Sequence, residues 1–459
     1  MPHLYISAAH KTSGKTTISI GLCRELRRRG LGVQPFKKGP DYIDPLWLTQ
    51  AAGKSCLNLD FHTAALDEIR GAFAAEMLGA DVGIIEGNVG LFDAVDLYGS
   101  NSNAEMAKGL KAPVVLVIDA EGMTRGVAPL LLGYRAFDPA LSIAGVILNR
   151  VGGARHEANL RRVVEHYTDL PVLGLVRRNS DIEIAQRHIG LIPSNEDGEA
   201  EQHIERIRSQ VAEQTDVDRM LAIASAVPAV AAPRPSVGLP ISDLPQVRIG
   251  VARDEAFGFY YPDDLRAMVG DGAELVYFSP CRDAELPAVD GLFIGGGFPE
   301  YRMRELEANV AMRASIADFI GSGGPAYAEC GGLMYLARQL RWGDKTCAMC
   351  GVLDTDVAMY PRPQGRGYVT LRETDAFPWP RAGAVVGDLN GHEFHHSAVV
   401  TPNPDWVYGY RVLRGAGIDG KHDGVVHKHL LASYAHLRSV GGARWANRFV
   451  AHVRVCSQS

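Results

Sequence analysis

The feature that most constrains the fold of this chain is a phosphate-binding loop placed directly after the first predicted strand. Residues 4–8 form an apolar run of strand length, and residues 9–17, which follow it, read AHKTSGKTT. Residues 16–29 then have the pattern of a helix. In a strand–loop–helix of this kind, the loop amides and the helix N-terminus form a cradle for phosphate groups, and the strand belongs to an α/β fold.

Four residues of this loop have predicted roles in nucleotide binding. Lys15 reaches the β- and γ-phosphates and Thr16 offers its hydroxyl group to Mg²⁺, while Gly14 and Thr17 complete the contacts with ATP. One position departs from the GxxxxGK[ST] pattern, because Ala9 stands where the first glycine is expected. The alternative is a plain strand-to-helix turn that carries Gly-Lys-Thr, and the strand–loop–helix context favours the nucleotide site.

Strand-like and helix-like segments alternate through the first half of the chain. The predicted strands cover residues 4–8, 82–85, 114–118, 143–148 and 172–176, and the predicted helices cover 16–29, 103–110 and 156–167. Because parallel strands need a helical crossover between them, this alternation predicts a doubly wound, mostly parallel sheet covered by helices.

A second α/β domain is predicted after a proline-rich connector. Residues 226–246 hold five prolines and no aromatic residue, a composition typical of an extended linker. The alternation then restarts, with predicted strands at residues 247–252, 275–278, 292–294 and 326–328. The sequence therefore predicts an N-terminal domain over residues 1–225, a linker over 226–246 and a C-terminal domain over 247–459.

Charge and composition narrow the class of function. The chain has 47 basic and 53 acidic side chains, a formal net charge of −6, which argues against a nucleic-acid surface. Its longest apolar runs are of strand length, and the first residues lack the pattern of a signal peptide. Seven scattered cysteines fit reduced thiols. We therefore expect a cytoplasmic enzyme acting on small molecules, without a nucleic-acid or membrane partner.

Acidic and amide side chains follow several predicted strands of the first domain, where an open α/β sheet presents its ligand crevice. The acidic residues are Asp41, Asp44, Glu86 and Asp93. Since Mg²⁺ prefers carboxylate and phosphate oxygens, Asp41 and Glu86 are predicted to hold the ion together with the P-loop threonine. The alternative is that Asp41 and Asp44 shape a turn and Asp93 caps a helix. Asn149, at the end of another strand, is predicted either to bind adenine or to cap a turn.

A cysteine at a sharp turn is the prominent feature of the second domain. Residues 325–334 read PAYAECGGLM and predict a strand, a glycine turn and a helix with Cys330 at the turn, as in a nucleophile elbow. A helix N-terminus under the sulfur is expected to lower the pKa of the thiol. Gly296 and Gly297, after an earlier strand, are candidate sources of the oxyanion-hole amides. A cysteine nucleophile also needs a general base. The candidates are the histidines at 392, 395, 396, 422, 427, 429 and 436, and their spacing alone does not distinguish among them.

These motifs together resemble the cobyrinic acid a,c-diamide synthase family over nearly the whole chain. The resemblance rests on blocks at residues 38–45 (KGPDYIDP), 57–60 (LNLD), 86–87 (EG), 90–93 (GLFD), 295–300 (GGGFPE), 330–332 (CGG), 391–395 (GHEFH) and 431–436 (LASYAH). It implies a dethiobiotin-synthetase-like ATP domain fused to a triad-type class I glutamine amidotransferase domain. It also implies a reaction in which ATP phosphorylates an acetate carboxylate of a modified tetrapyrrole and ammonia from L-glutamine displaces the phosphate, at the c and a side chains.

The resemblance also implies roles for individual residues. Cys330 is the expected glutaminase nucleophile and His436 its base. Lys15, Thr16 and Glu86 are expected to bind ATP and Mg²⁺. Asp41, Asp44 and Asp93 are expected to flank the carboxylate that is phosphorylated. Many class I amidotransferases carry a glutamate two residues after the histidine, where this chain has Arg438, so the triad acid is left unassigned.

Several alternatives stay open at this point. Amidases of sirohaem, sirohydrochlorin or nickel-sirohydrochlorin use the same chemistry, and another carboxylate, such as that of a peptidoglycan precursor, is a third substrate class. A P-loop regulatory ATPase with a glutamine-sensing domain is less favoured, because mere binding needs no nucleophile. A homodimer is expected by analogy with the dethiobiotin-synthetase-like half.

Overall fold

The computed structural model describes residues 1–187, 190–228, 246–380 and 387–458. The chain divides into two compact units, Met1–Pro235 and Ser236–Ser459. Most of the predicted linker, residues 229–245, lies outside the described residues. Among the described residues, no helix combines the length and the apolar character needed to cross a membrane.

The first unit is built on a seven-stranded sheet in which every neighbouring pair is parallel. The strand order is β3-β2-β4-β1-β5-β6-β7, and a short antiparallel pair, β8 and β9, stands apart. The strands are β1 His3–Ala8, β2 Val33–Lys38, β3 Leu57–Leu59, β4 Val82–Glu86, β5 Val114–Asp119, β6 Ile143–Val151, β7 Val172–Arg177, β8 Gln186–Arg187 and β9 Gly190–Leu191.

Helices connect these strands, and the predicted α/β class is confirmed. They are α1 Lys15–Arg28, α2 Ile43–Ala52, α3 Leu66–Glu76, α4 Asn103–Gly109, α5 Val127–Phe137, α6 Ala154–Tyr167, α7 Ala200–Gln214 and α8 Val217–Ser225. All residues of β1, β2 and β4 are buried, as expected for central strands covered on both faces. The carboxyl ends of these three adjacent strands therefore meet at one edge of the sheet, where the phosphate-binding loop begins.

The second unit contains a ten-stranded mixed sheet with the order β12-β10-β13-β15-β24-β23-β22-β19-β20-β25. Smaller sheets pair β11 with β14 and join β17, β16, β18 and β21. The strands are β10 Val247–Ala252, β11 Phe257–Phe259, β12 Ala273–Phe278, β13 Gly291–Ile294, β14 Gly296–Gly297, β15 Ala326–Glu329, β16 Ala337–Trp342, β17 Lys345–Ala348, β18 Leu353–Met359, β19 Gly365–Glu373, β20 Leu389–His395, β21 Ser397–Val399, β22 Val407–Arg414, β23 His422–His427, β24 Leu430–Ser433 and β25 His436–Leu437.

Half of this large sheet consists of parallel strands, as the alternation of strands and helices predicts, and the other half is antiparallel. The four predicted strands form β10, β12, β13 and β15, which pair in parallel with one another, and β24 pairs in parallel with β15. Strands β19, β20, β22, β23 and β25 pair antiparallel. The helices are α9 Pro262–Gly270, α10 Met303–Ala308, α11 Val310–Gly321, α12 Gly331–Leu336 and α13 Trp445–Cys456.

Candidate active sites

The phosphate-binding loop of the first unit is shaped by Gly14 and Asn149. Gly14 has a φ of 91°, in the left-handed region that favours glycine. Its α-carbon faces Asn149, whose side-chain amide donates a hydrogen bond to the carbonyl oxygen of Ser13 at 3.0 Å. A β-carbon at position 14 would lie 2.1 Å from that amide nitrogen. Ala9 lies outside the left-handed region, so its place in the loop does not require glycine.

Lys15 lies inside a cavity of about 960 Å³, which is also lined by Gly14, Thr16 and Thr17. Its Nζ donates a hydrogen bond to the carbonyl oxygen of Val89 at 2.9 Å. Burial, with a smaller contribution from the nearby Lys37, lowers the pKa of Lys15 to about 8. The ammonium group is thus held in a poorly hydrated position where an anion is its natural partner.

Lys37, at the end of β2, is a residue of this site that the sequence reasoning missed. Its side chain is only 2% exposed, and its Nζ lies 2.7 Å from Oε1 of Glu86 and 3.6 Å from Oδ2 of Asp41. It also donates a hydrogen bond to the carboxylate of Asp44. Although burial opposes the charged form, these three carboxylates raise the pKa of Lys37 well above its ordinary value. Nothing local in residues 33–38 (VQPFKK) marks this lysine as buried, because its acidic partners come from other segments of the chain.

The three carboxylates around Lys37 have different titration behaviour. Burial and the neighbouring Asp44 raise the pKa of Asp41 to about 7. Burial also disfavours the charged form of Asp44, but the adjacent ammonium of Lys37 outweighs it and the pKa of Asp44 is lowered. Burial raises the pKa of Glu86. Three carboxylates share the one ammonium of Lys37, so a further cation would stabilise their charged forms.

The chemistry of this cluster fits Mg²⁺. The hydroxyl group of Thr16 donates to Oε1 of Glu86 at 2.8 Å and lies 3.3 Å from Oδ2 of Asp44. The other oxygen of Glu86, Oε2, is buried and has no hydrogen-bond partner among the described residues. Hard oxygen donors, one of them unsatisfied, are the ligands that Mg²⁺ prefers.

The predicted acidic residues are not all brought together. Asp41 has both of its alternative roles, because its Oδ1 accepts the N–H groups of Ile43 and Asp44 at the start of α2 while its other oxygen faces the lysine. Asp93 is exposed, does not line the cavity, and accepts the N–H of Gly90 at 2.8 Å. It closes a turn beside the site instead of joining the carboxylate cluster.

In the second unit, Cys330 occupies a strained turn between β15 and α12. Its φ is 46°, and the cysteine is 7% exposed. The two glycines that follow it allow close packing. A β-carbon on Gly331 would lie 3.0 Å from the backbone nitrogen of Gly297, and one on Gly332 would lie 2.2 Å from the carbonyl oxygen of Ile294. The turn of the cysteine and the glycine loop after β13 are thus in direct contact.

The thiol of Cys330 corrects one expectation. Burial, together with the nearby Glu300 and Glu329, raises the pKa of this thiol instead of lowering it. A backbone hydrogen bond from Gly331, at the start of the six-residue helix α12, favours the thiolate, but burial outweighs it. A thiol in this environment needs a base to become a nucleophile.

Among the candidate histidines, His436 contacts the glycine loop that packs against the cysteine turn. A β-carbon on Gly296 would lie 2.6 Å from Cε1 and 3.4 Å from Nε2 of this histidine. The ring is 3% exposed and stacks against the ring of His392, with centroids 5.0 Å apart. Nδ1 of His436 lies 3.1 Å from Oε2 of Glu329, which precedes the cysteine in sequence. The sequence reasoning quoted Glu329 only as part of a motif and missed this contact.

The backbone before His436 is anchored by Asp423. Its carboxylate accepts the N–H groups of Tyr434 and Ala435, each at 3.0 Å. Burial raises the pKa of Asp423 to about 6. This carboxylate therefore fixes the short segment that carries the histidine.

Known proteins match both units. Residues 8–192 match the model of the CobQ/CobB/MinD/ParA nucleotide binding domain, and residues 248–441 match that of the CobB/CobQ-like glutamine amidotransferase domain. A cobyrinate a,c-diamide synthase of Magnetococcus marinus is 45% identical over 97% of this chain and 96% of that protein. Those of Methanosarcina acetivorans and Methanosarcina barkeri are 41% and 40% identical, over 98% and 99% of this chain and 95% and 96% of theirs.

Together, the fold and these matches define an enzyme class, a nucleotide-binding domain fused to a glutamine amidotransferase domain in one chain. The protein is a ligase that uses glutamine for amidation. It belongs to the cobyrinate a,c-diamide synthase family. The family predicted from the sequence blocks is therefore confirmed.

Proposed function

We propose that the protein amidates the a- and c-acetate carboxylates of a cobyrinate-type tetrapyrrole, with ATP and glutamine as co-substrates. The observation that carries this proposal is the pairing, within one chain, of a buried cysteine turn with a phosphate loop beside a carboxylate cluster. The relatives of this chain are named for the same reaction. We assign the synthetase to residues 1–225 and the glutaminase to residues 247–459.

In the glutaminase, Cys330 is the nucleophile and His436 the base. The thiol passes its proton to the imidazole as the sulfur attacks the amide carbon of glutamine. The resulting oxyanion faces the backbone amides of Gly296 and Gly297. When the C–N bond breaks, the imidazolium returns the proton to the leaving nitrogen, and ammonia departs. Water then hydrolyses the thioester to glutamate and restores the thiol.

In the synthetase, an acetate oxygen attacks the γ-phosphorus of ATP, and ADP leaves. Lys15 and the loop amides bind the phosphates, with Gly14 and Thr17 in contact with the nucleotide and Asn149 bracing the loop. The hydroxyl of Thr16 and the carboxylates of Asp41 and Glu86 would hold Mg²⁺, which would supply charge neutralisation for the phosphoryl oxygens. Ammonia then attacks the acyl phosphate, and inorganic phosphate leaves. Phosphorylation is needed because a free carboxylate has no adequate leaving group.

We propose that the carboxylates beside the loop orient the acid that reacts. Asp44 forms the ion pair with Lys37, and Asp41 keeps 30% of its side chain exposed towards the cavity. We keep Asp93, in its turn next to the phosphate loop, as a proposed neighbour of the reacting carboxylate. Lys37, whose ammonium lies within this cavity, would supply positive charge beside the carboxylate of the substrate.

The ring itself is the finer part of the proposal. Sirohaem, sirohydrochlorin and nickel-sirohydrochlorin carry the same acetate groups and would undergo the same chemistry. We favour the cobyrinate-type ring because all three relatives described above are named for it. We also place the protein in the cytoplasm, where ATP, glutamine and reduced thiols are abundant, and expect a homodimer.

The test is mass spectrometry of products after incubation with ATP, Mg²⁺, glutamine and each ring in turn. Replacement of OH by NH₂ lowers the mass by about one unit per amidated acid, so two units on a cobyrinate-type ring is the expected result. Glutamine hydrolysis without a mass change on any ring would contradict the tetrapyrrole assignment.

A variant separates the two half-reactions. Cys330→Ala is expected to abolish amidation with glutamine and to keep amidation with a high concentration of ammonia, since only the nitrogen source is lost. Failure of ammonia to restore the product would contradict the division of labour between the two units.

A further inference from the structure

We propose that Glu329 is the third member of the glutaminase site, a positioning residue that holds His436 as a base. This inference rests on the proposed function and identifies the acid that the family pattern leaves missing at position 438. The carboxylate accepts the Nδ1–H of the imidazole, which leaves Nε2 free of a proton. It also stabilises the imidazolium that forms when the thiol is deprotonated.

The geometry of the pair supports this role. Oε2 of Glu329 lies 3.1 Å from Nδ1 of His436, and both side chains are almost completely buried, at 3% and 4% exposure. Oε1 accepts the hydroxyl of Tyr327 at 2.7 Å and the N–H of Leu437 at 3.2 Å. The carboxylate is therefore fixed by one oxygen and meets the imidazole with the other. In a buried site, a charge-assisted hydrogen bond of this kind strongly restricts the orientation of the ring.

The opposite edge of the ring faces the reacting centre. Nε2 is the ring nitrogen that would meet a β-carbon on Gly296, at 3.4 Å. The neighbouring Gly297 amide in turn lies against Gly331, directly after the nucleophile. With Nδ1 on the carboxylate and Nε2 on the glycine loop, the ring links the acid and the cysteine turn as a catalytic histidine does.

Other charged groups near the histidine are engaged elsewhere. Arg438 donates to the carboxylate of Asp263 at 2.7 Å and stacks over the ring of Tyr261. The carboxylate of Asp423 accepts three backbone N–H groups, those of residues 424, 434 and 435. Glu329, in contrast, places its carboxylate 3.1 Å from Nδ1 of His436, within hydrogen-bond distance of the imidazole.

The decisive variant is Glu329→Gln, compared with Glu393→Gln as a matched control. Glu393 is another buried glutamate of the same unit, and its carboxylate accepts the backbone N–H groups of Ala416 and Gly417 and lies 3.8 Å from Nε2 of His395. We expect Glu329→Gln to lower kcat for glutamine hydrolysis by about 10²–10⁴-fold, as loss of the orienting acid does in other triads. The KM for glutamine and the rate of ammonia-dependent amidation should stay within about twofold of the wild-type values, because the acid touches neither substrate.

The outcomes separate this inference from the proposed function. If the wild-type protein hydrolyses no glutamine, the proposed function is wrong. If the wild-type protein is active and Glu329→Gln retains its kcat, or loses it together with ammonia-dependent activity, the positioning role alone is wrong. Should Glu329→Gln fail to fold, Glu329→Asp carries the test. It keeps the charge one methylene short and is expected to lose at least about tenfold in kcat, with ammonia-dependent amidation intact; unchanged kcat in a folded Glu329→Asp protein would contradict the proposal.

Discussion

The contact between Gly296 and His436 gives a prediction whose size follows from the geometry. In Gly296→Ala, the new β-carbon would lie 2.6 Å from Cε1 of the histidine. Carbon atoms pack favourably at about 3.5–4.0 Å, so the ring has to move by about 1 Å. A displacement of about 1 Å at a catalytic group typically costs about 10²-fold in rate, or about 2.7 kcal/mol of activation free energy.

The assay compares glutamine hydrolysis with ammonia-dependent amidation in the same preparation. We expect Gly296→Ala to lose about 10²-fold in kcat for glutamine hydrolysis and to retain amidation with ammonia. Gly321→Ala is the control, because a β-carbon at that position meets no atom within 4 Å. If Gly296→Ala hydrolyses glutamine as fast as Gly321→Ala, the histidine does not act from the position described here.

Three further predictions concern single groups. The affinity of the free protein for ATP, measured by calorimetric titration, should weaken about tenfold at pH 9, because the pKa of Lys15 is lowered to about 8 and its ammonium is lost above that value. Lys15→Ala should bind ATP weakly at every pH. If this variant shows the same pH dependence as the wild-type protein, the role of Lys15 is contradicted. Asp44→Asn should damage ATP-dependent amidation with ammonia and spare glutamine hydrolysis, and the reverse pattern would move Asp44 out of the synthetase site. Iodoacetamide should modify Cys330 slowly at pH 7 and faster as the pH rises, since burial raises the pKa of its thiol. The rate is measured by peptide mass spectrometry, and rapid modification at pH 7 would contradict the buried environment.

Much of the first unit was predictable because its signals are local. The phosphate loop, the strand before it and the helix after it are adjacent in sequence, and the apolar runs mark the parallel strands. Lys37 was missed for the opposite reason. From sequence alone, a lysine side chain is expected to be exposed to solvent. Lys37 is stable in the interior because three carboxylates form ion pairs with its ammonium group.

In the second unit, sequence reasoning failed where the residues that meet are distant in the chain. The cysteine turn is local and was predicted, whereas the acid and the base of the pair Glu329–His436 are 107 residues apart. They meet because β15 pairs in parallel with β24, with Glu329 opposite Ser433. The antiparallel strands from β19 to β23 alternate polar and apolar residues irregularly, and their pairing is set by contacts distant in sequence.

Because Asn149 packs against Gly14, positions 9 and 14 of the phosphate loop differ in the residues they can accept. At position 9 the backbone is in an ordinary conformation, so alanine and glycine are interchangeable there as far as the main chain is concerned. At position 14 the left-handed φ disfavours every residue but glycine, and a β-carbon would lie 2.1 Å from the side-chain amide nitrogen of Asn149, which would have to move. During divergence, drift is therefore permitted at the first glycine of the motif, while Gly14 can change only together with Asn149 and at a cost in backbone strain.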